Sequence, residues 1–268
     1  MPELPEVESA RAVVEAGALG REIADVDDED TWVCRPHPPG EIRDALVGQV
    51  LTAAHRRGKA MWCDTSGAAV LGLHLGMSGR LVVTDAGGEP VEGGDRVRGL
   101  SATDPDRDPA WDRFTVRFTD GGVLRLFDKR RLGRVRLDPD LGRLGPDAGE
   151  VGVAEFRERM SRGTAPVKAR LLDQGVVAGV GNLLADETLW QARLDPRRRV
   201  DSLDADQLTA LHRALRRATR RAIRRGGVHT GELIGHRRPG DHCPRCGGAM
   251  ERATVGGRTT WFCAVEQT

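Results

Sequence analysis

The stretch Leu171-Leu172-Asp173-Gln174-Gly175-Val176-Val177-Ala178-Gly179-Val180-Gly181-Asn182 separates two segments of helical periodicity, Val167 to Gln174 and Asn182 to Ala192. Glycine ends helices and reaches backbone conformations closed to other residues, so Gly179 to Gly181 reads as the junction between them. A longer helix follows from Asp204 to Arg225, with Leu208, Leu211 and Leu215 on one face. Asp204 with Gln207 makes a capping box, and Leu203 with Leu208 a hydrophobic staple. The opposite face carries Arg213, Arg216, Arg217, Arg220, Arg221 and Arg224, which reads first as a solvated basic surface.

Upstream of this helical region the pattern changes. Residues 138–149 are punctuated by Gly, Pro and Asp and read as a linker. From Val47 to Leu137 strand signals dominate. Phe114, Val116 and Phe118 alternate before Asp120-Gly121-Gly122, and Val123 to Phe127 returns as the second arm of a hairpin. The polar run Asp85 to Asp112 is expected to be a long exposed loop. At the start, Leu4, Val7, Val14 and Ala18 fall at helical spacing, and Gly17 and Gly20 end that helix. Gly226 to Thr268 is too short for a core of its own and needs a staple; it holds three of the five cysteines.

Composition narrows the function. Hydrophobic residues make up 39% of the 268, enough for a sizeable core. No apolar run is long enough to span a bilayer and no leader-like start is present, so a cytoplasmic chain without membrane contact is expected. An odd number of cysteines argues against a disulfide framework. The net charge of +1 conceals an asymmetry: residues 1–150 carry 20 basic against 27 acidic side chains, and residues 151–268 carry 21 against 13. A basic second half suits a polyanion, because Lys and Arg at phosphates release condensed counterions.

The opening Met1-Pro2-Glu3-Leu4-Pro5-Glu6-Val7 carries possible chemistry. With Met1 removed, Pro2 becomes a secondary amine that titrates far below lysine and can attack a carbonyl-like carbon. At a sugar C1′ such an attack yields an iminium ion that acidifies the C2′ hydrogen. Glu3, adjacent in sequence, is placed to shuttle protons to the ring oxygen. By itself the segment reads equally as a helix start, with proline and glutamates suited to the helix dipole.

Further segments remove that ambiguity. Pro2-Glu3-Leu4-Pro5-Glu6-Val7-Glu8 closely resembles the opening of the formamidopyrimidine-DNA glycosylase and endonuclease VIII family. Four more resemblances occur in the family's order. Arg56-Arg57-Gly58-Lys59 is similar to the loop whose lysine assists β-elimination. His74-Leu75-Gly76-Met77-Ser78-Gly79 is similar to the segment that fills the gap left by an extruded base. Asp128-Lys129-Arg130-Arg131-Leu132-Gly133 resembles the loop whose arginine pairs with the orphaned base. Leu171 through Asn182 to Glu187 resembles the helix–two-turn–helix, whose asparagine contacts DNA phosphate.

The resemblance implies an α+β multidomain chain: an N-terminal β-sandwich flanked by helices (1–137), the linker, a helix–two-turn–helix domain (150–228) and a zinc-ribbon-like β-hairpin module (229–268). It implies a bifunctional base-excision glycosylase and AP lyase, acting as a monomer on damaged double-stranded DNA and needing no small-molecule cofactor. Pro2, Glu3, Glu6 and Lys59 would be catalytic, and DNA would contact His74, Met77, Arg130, Arg131, Leu132, Asn182 and Arg258. Duplex DNA hides C1′, so the nucleotide must be flipped out, and Met77, Arg130 and Leu132 are suitable types to occupy the hole. A non-catalytic damage-binding paralogue is the alternative.

In the last module, Cys243-Pro244-Arg245-Cys246 and Cys263 suit structural zinc, which prefers four ligands. The family completes its set with a fourth cysteine, but Glu266 stands there in this chain. Three readings stay open: Glu266 is the fourth ligand, His242 or His236 substitutes, or no metal binds. Cys34 and Cys63 have no paired spacing and read as structural. Arg258 follows Gly256-Gly257, a tight turn able to present it, where the family holds a phosphate-gripping arginine. Only 17 residues separate Arg225 from Cys243, and Leu132 stands where the 8-oxoguanine branch tends to have phenylalanine. Ring-opened purines and oxidised pyrimidines are therefore substrate alternatives to 8-oxoguanine.

Overall fold

The computed structural model describes residues 2–91 and 108–268. The expected loop from Asp85 to Asp112 lies, over 92–107, outside the described residues. The chain divides into two compact units, one of Met1–Pro2 with Glu6–Leu141 and one of Glu3–Pro5 with Gly142–Thr268. Among the described residues no helix is long and apolar enough to cross a membrane.

The first unit is a β-sandwich with helices. One antiparallel sheet has the order β1 (Ile23–Asp27), β6 (Asp112–Phe118), β7 (Val123–Phe127), β5 (Arg80–Thr84). The other runs β2 (Leu51–Arg57), β3 (Ala60–Thr65), β4 (Val70–His74), β8 (Arg134–Leu137). Alternation places one face of each strand inward: Val83, Phe114, Val116 and Leu124 from the first sheet share a core with Met61, Cys63, Leu71 and Val135 from the second. Helices α1 (Leu4–Gly17) and α2 (Glu41–Leu46) add Val7, Val13, Val14, Ile42 and Leu46 to it. The expected hairpin forms, with Val116 paired to Leu124. Helix α2 was not expected. Its first N–H groups are satisfied from a distance, Asp28 accepting from Gly40, Ile42 and Arg43, so no local cap announces it.

The second unit is helical with a terminal hairpin. Its helices are α3 (Val153–Met160), α4 (Val167–Leu172), α5 (Asn182–Ala192) and α6 (Ala205–Arg225). Both bonds of the capping box are present at the start of α6, and Gly226, at φ 87°, closes its end. Leu4, Phe156, Leu171, Leu184, Leu189, Leu208, Leu211 and Leu215 form the core. Helix α3 was missed because eight residues bury only Phe156 and Met160.

The segment expected as a linker divides at Leu141. Beyond it, Gly145 and Ala148 donate backbone bonds to Gln174 and Ala178, tying 145–148 to the turns between α4 and α5. Strands β9 (Met250–Val255) and β10 (Arg258–Cys263) form the hairpin. Gly256 and Gly257 both have positive φ, the backbone that a type I′ turn demands. Trp190, Leu233, Met250 and Trp261 pack with Cys243 and Cys263 in a separate small cluster.

Candidate functional site

In the second unit the site is built on the two turns between α4 and α5. Gln174 staples them: its amide donates to the Val180 carbonyl at 3.0 Å and its oxygen accepts from Gly179 N–H at 2.9 Å. The backbone this exposes at the start of α5 is filled by Glu3. Its carboxylate, wholly buried, accepts N–H bonds from Gly181 (3.0 Å), Leu183 (2.8 Å) and Leu184 (3.0 Å). A carboxylate at a helix N-terminus satisfies orphan donors and suits the dipole. Leu4, the next residue, donates to the Gly179 carbonyl. Glu3 therefore anchors the chain one residue after Pro2.

Asn182 begins α5, and its amide nitrogen donates to the Thr259 carbonyl at 2.9 Å. That bond brings the helix start beside the hairpin turn bearing Arg258, whose side chain is exposed and has no polar partner among the described residues. Two of the expected DNA-contacting groups are thus neighbours within this unit.

Behind them is a charge network that sequence reasoning missed. The Lys168 ammonium sits 2.6 Å from the Asp186 carboxylate, both side chains fully buried, and donates to Thr260 Oγ1 at 2.7 Å. Arg237 and the Trp261 N–H donate to the other Asp186 oxygen. Burial lowers the pKa of Lys168 and raises that of Asp186, against their mutual attraction. One signal was available: Lys168 is one of only three lysines among 41 basic residues, the others being Lys59 and Lys129. In an arginine-rich chain a lysine within a helix stands out as a candidate for a place that takes a compact ammonium and not a planar fork.

In the first unit, Gly58 and Lys59 form the two-residue turn between β2 and β3. Arg56 holds this turn, donating to the Gly58 carbonyl at 3.2 Å and to Glu8 of α1 at 2.8 Å. Burial alone would raise the pKa of Glu8, but hydrogen bonds from Arg11 and Arg56 outweigh it and leave the carboxyl below its ordinary value. Pro2 and Glu6 are half-buried.

His74 ends β4, and its Nδ1 accepts from the Gly76 N–H at 3.0 Å. The ring proton of the neutral form is therefore on Nε2, available to an acceptor. Surrounding protein and then the charges of Lys59, Arg134 and Arg136 lower its pKa, favouring that neutral form.

The loop bearing Met77 meets the loop bearing Arg130 and Leu132. A Cβ at Gly76 would stand 2.3 Å from the Leu132 backbone, so the contact requires glycine. Asp128, wholly buried, organises both loops by accepting from Ser78 Oγ and from the N–H groups of Arg130, Leu132 and Gly133. Met77 is 42% exposed, and the Arg130 side chain projects without a polar partner among the described residues. Arg131, also expected to contact DNA, has a partner within the protein. It forms a two-pronged pair with Asp30, at 2.7 and 2.9 Å, and so fastens the loop.

The three cysteines of the last module converge. Their Sγ atoms lie within 4.8 Å of one another, and Cys246 and Cys263 are 3.5 Å apart. Three thiolates at this spacing fit a soft divalent metal. Glu266, expected as a fourth ligand, is not in this group: its carboxylate accepts at 2.7 Å from Arg245, which lies between Cys243 and Cys246 in the chain. His236 bonds to Asp241, and neither it nor His242 belongs to the thiol group.

Comparison with known proteins agrees with this architecture. The formamidopyrimidine-DNA glycosylase N-terminal domain model matches residues 1–135, and the H2TH domain model of the same glycosylase matches 143–232. The chain is 36% identical to a formamidopyrimidine-DNA glycosylase of a Nocardioides species, covering 100% of this chain and 94% of that one. It is 34% identical to one from Arabidopsis thaliana, over 80% of this chain but 56% of the plant protein's length. Among solved structures, Lactococcus lactis Fpg complexed with N7-benzyl-Fapy-dG DNA superposes with a TM-score of 0.82 at 27% identity, covering 100% of both chains. The same enzyme with an oxidised-pyrimidine DNA gives 0.83 at 28%, again over 100% of both. By its two domain models and its full-length relatives, the chain belongs to the formamidopyrimidine-DNA glycosylase family.

Proposed function

We propose that this glycosylase excises damaged bases from duplex DNA and nicks the strand at the emptied sugar, with the Pro2 nitrogen as nucleophile. The observation that carries the proposal is the lock on Glu3, the residue next to Pro2, whose carboxylate accepts three backbone hydrogen bonds. Positioning of this kind converts a weak amine into an effective reactant.

In the proposed sequence the Pro2 lone pair bonds to C1′ as the glycosidic bond breaks, and the base leaves with a proton. Opening of the sugar ring, with a proton delivered to its oxygen, gives the iminium ion. Loss of the C2′ proton then expels the 3′ phosphate, and water releases the enzyme. Glu3 is assigned the proton at the ring oxygen, and Lys59 with Glu6 supports elimination. His74, Asn182 and Arg258 are assigned to phosphates, and Met77, Arg130 and Leu132 to the vacated stack.

Borohydride treatment during turnover on a lesion duplex tests this. The expected product is a covalent adduct at residue 2, absent from a variant that retains Met1. An adduct mapped to any other residue removes the mechanism. Intact mass also separates the enzyme from a non-catalytic damage-binding paralogue, in which the Pro2 nitrogen would remain an amide.

The lesion range is proposed to include ring-opened purines and oxidised pyrimidines beside 8-oxoguanine. The short segment 226–242 and Leu132 support this breadth, and a panel of single-lesion duplexes checks it. Zinc is the metal proposed for Cys243, Cys246 and Cys263, where it would join the knuckle turn to β10 as a structural tie. The enzyme is proposed to act as a monomer.

A further inference from the structure

The polar face of α6 is not used by the site described above. Arg213, Arg216, Arg217, Arg220 and Arg224 lie on it at i, i+3 and i+4 spacings and border one open groove. From Arg213 to Arg224 the stripe runs eleven residues, or about 16 Å. Arg217 donates to Gln191. The other four have no hydrogen-bond or acidic partner among the described residues. Helix surfaces usually temper such runs with acidic residues three or four positions away. Here α6 carries none after Asp206, and the groove's one acidic residue is Glu150.

The chemistry of the groove indicates its occupant. Val151 is its one aliphatic residue, and its one ring is the His212 imidazole, which is tied to the Val151 carbonyl; no Phe or Trp borders it. A protein partner would want an apolar anchor to fill a pocket, and single-stranded nucleic acid would want aromatic faces for its bases. A duplex backbone needs neither. It presents a phosphate about every 3.4 Å along each strand and binds through counterion release alone. We infer that the arginine face of α6 is a second, sequence-blind docking surface for duplex DNA, separate from the lesion site. The inference rests on the chain working on DNA. Such a surface keeps the enzyme on undamaged DNA between encounters with lesions, or holds a second duplex segment while the first is processed.

Two measurements on the full chain test it. The first compares wild type with a variant carrying Arg213→Gln, Arg216→Gln, Arg220→Gln and Arg224→Gln, binding an undamaged duplex over a range of salt. The expected result is a log–log salt slope shallower by about 0.9 for each phosphate contact removed. The same four positions changed to Lys keep the wild-type slope. The second uses enzyme already trapped by borohydride on a short lesion duplex, challenged with a fluorescent undamaged duplex. Wild type is expected to bind it and the Gln variant to lose that binding, with trapping unchanged between them.

An equal salt slope in wild type and Gln variant overturns the inference, and so does binding of a polyglutamate peptide in preference to the second duplex. Failure of trapping in wild type would instead count against the nucleophile assignment, leaving the salt measurement to decide this one.

Discussion

Glu3 and Gly181, 178 positions apart, interlock: the Gly181 N–H donates to Glu3 Oε2 at 3.0 Å, and a Cβ at residue 181 would stand 2.2 Å from Glu3 Cδ. Side chain and missing side chain occupy the same space. The glycine of the two-turn segment is thus a condition for seating Glu3.

Gly181→Ala should therefore unseat Glu3 without unfolding the helices. Single-turnover excision is expected to fall by about 100-fold, the usual cost of misplacing a reacting group by an ångström. A variant with the wild-type rate would show that the seat of Glu3 does not matter.

Metal content separates the cysteines from Glu266. Cys246→Ser removes one of three converging thiolates, and elemental analysis of the purified variant should find the zinc stoichiometry lost. Glu266→Ala breaks only the pair with Arg245 and should retain it. Zinc loss on Glu266→Ala would restore the carboxylate to the ligand set.

Glu8 gives a pH signature. Its folded pKa lies below the ordinary 4.5, so its contribution to stability is present above that value and is lost as pH falls through the folded pKa. Glu8→Gln should be less stable than wild type at pH 7 and equal to it in strong acid. Denaturant midpoints across pH 2 to 7 report the convergence. The same variant loosens Arg56 and the turn of Lys59, so strand nicking should slow more than base release.

The Lys168–Asp186 pair is fully buried, with Arg237 as a second cation on the carboxylate, and removing either partner leaves the remaining buried charges out of balance. Lys168→Met or Asp186→Asn should each cost about 3–5 kcal/mol, and the double replacement Lys168→Met with Asp186→Asn should cost less than the sum of the two. A double-mutant cycle by chemical denaturation measures the coupling. Additive losses would mean that the pair is incidental.

Elements specified by neighbouring residues were legible from sequence. The limits of α6 follow from Asp204, Gln207 and Gly226, and the β6–β7 hairpin from alternation around Asp120-Gly121-Gly122. The order of the motif segments identified the family, because each segment carries its chemistry within a few residues. Short elements with distant caps were not legible, as α2 shows through Asp28.

Sequence alone, then, determined the periodic elements, the nucleophile candidate and the cysteine knuckle, since each depends on contacts a turn or less away along the chain. Tertiary structure decided which charges are committed to each other: Glu3 to the start of α5, Arg131 to Asp30, Lys168 to Asp186, and Glu266 to Arg245 in place of the thiols. Partner choice among charged side chains is a matter of distance and burial. Both arise only when segments far apart in the chain are folded together.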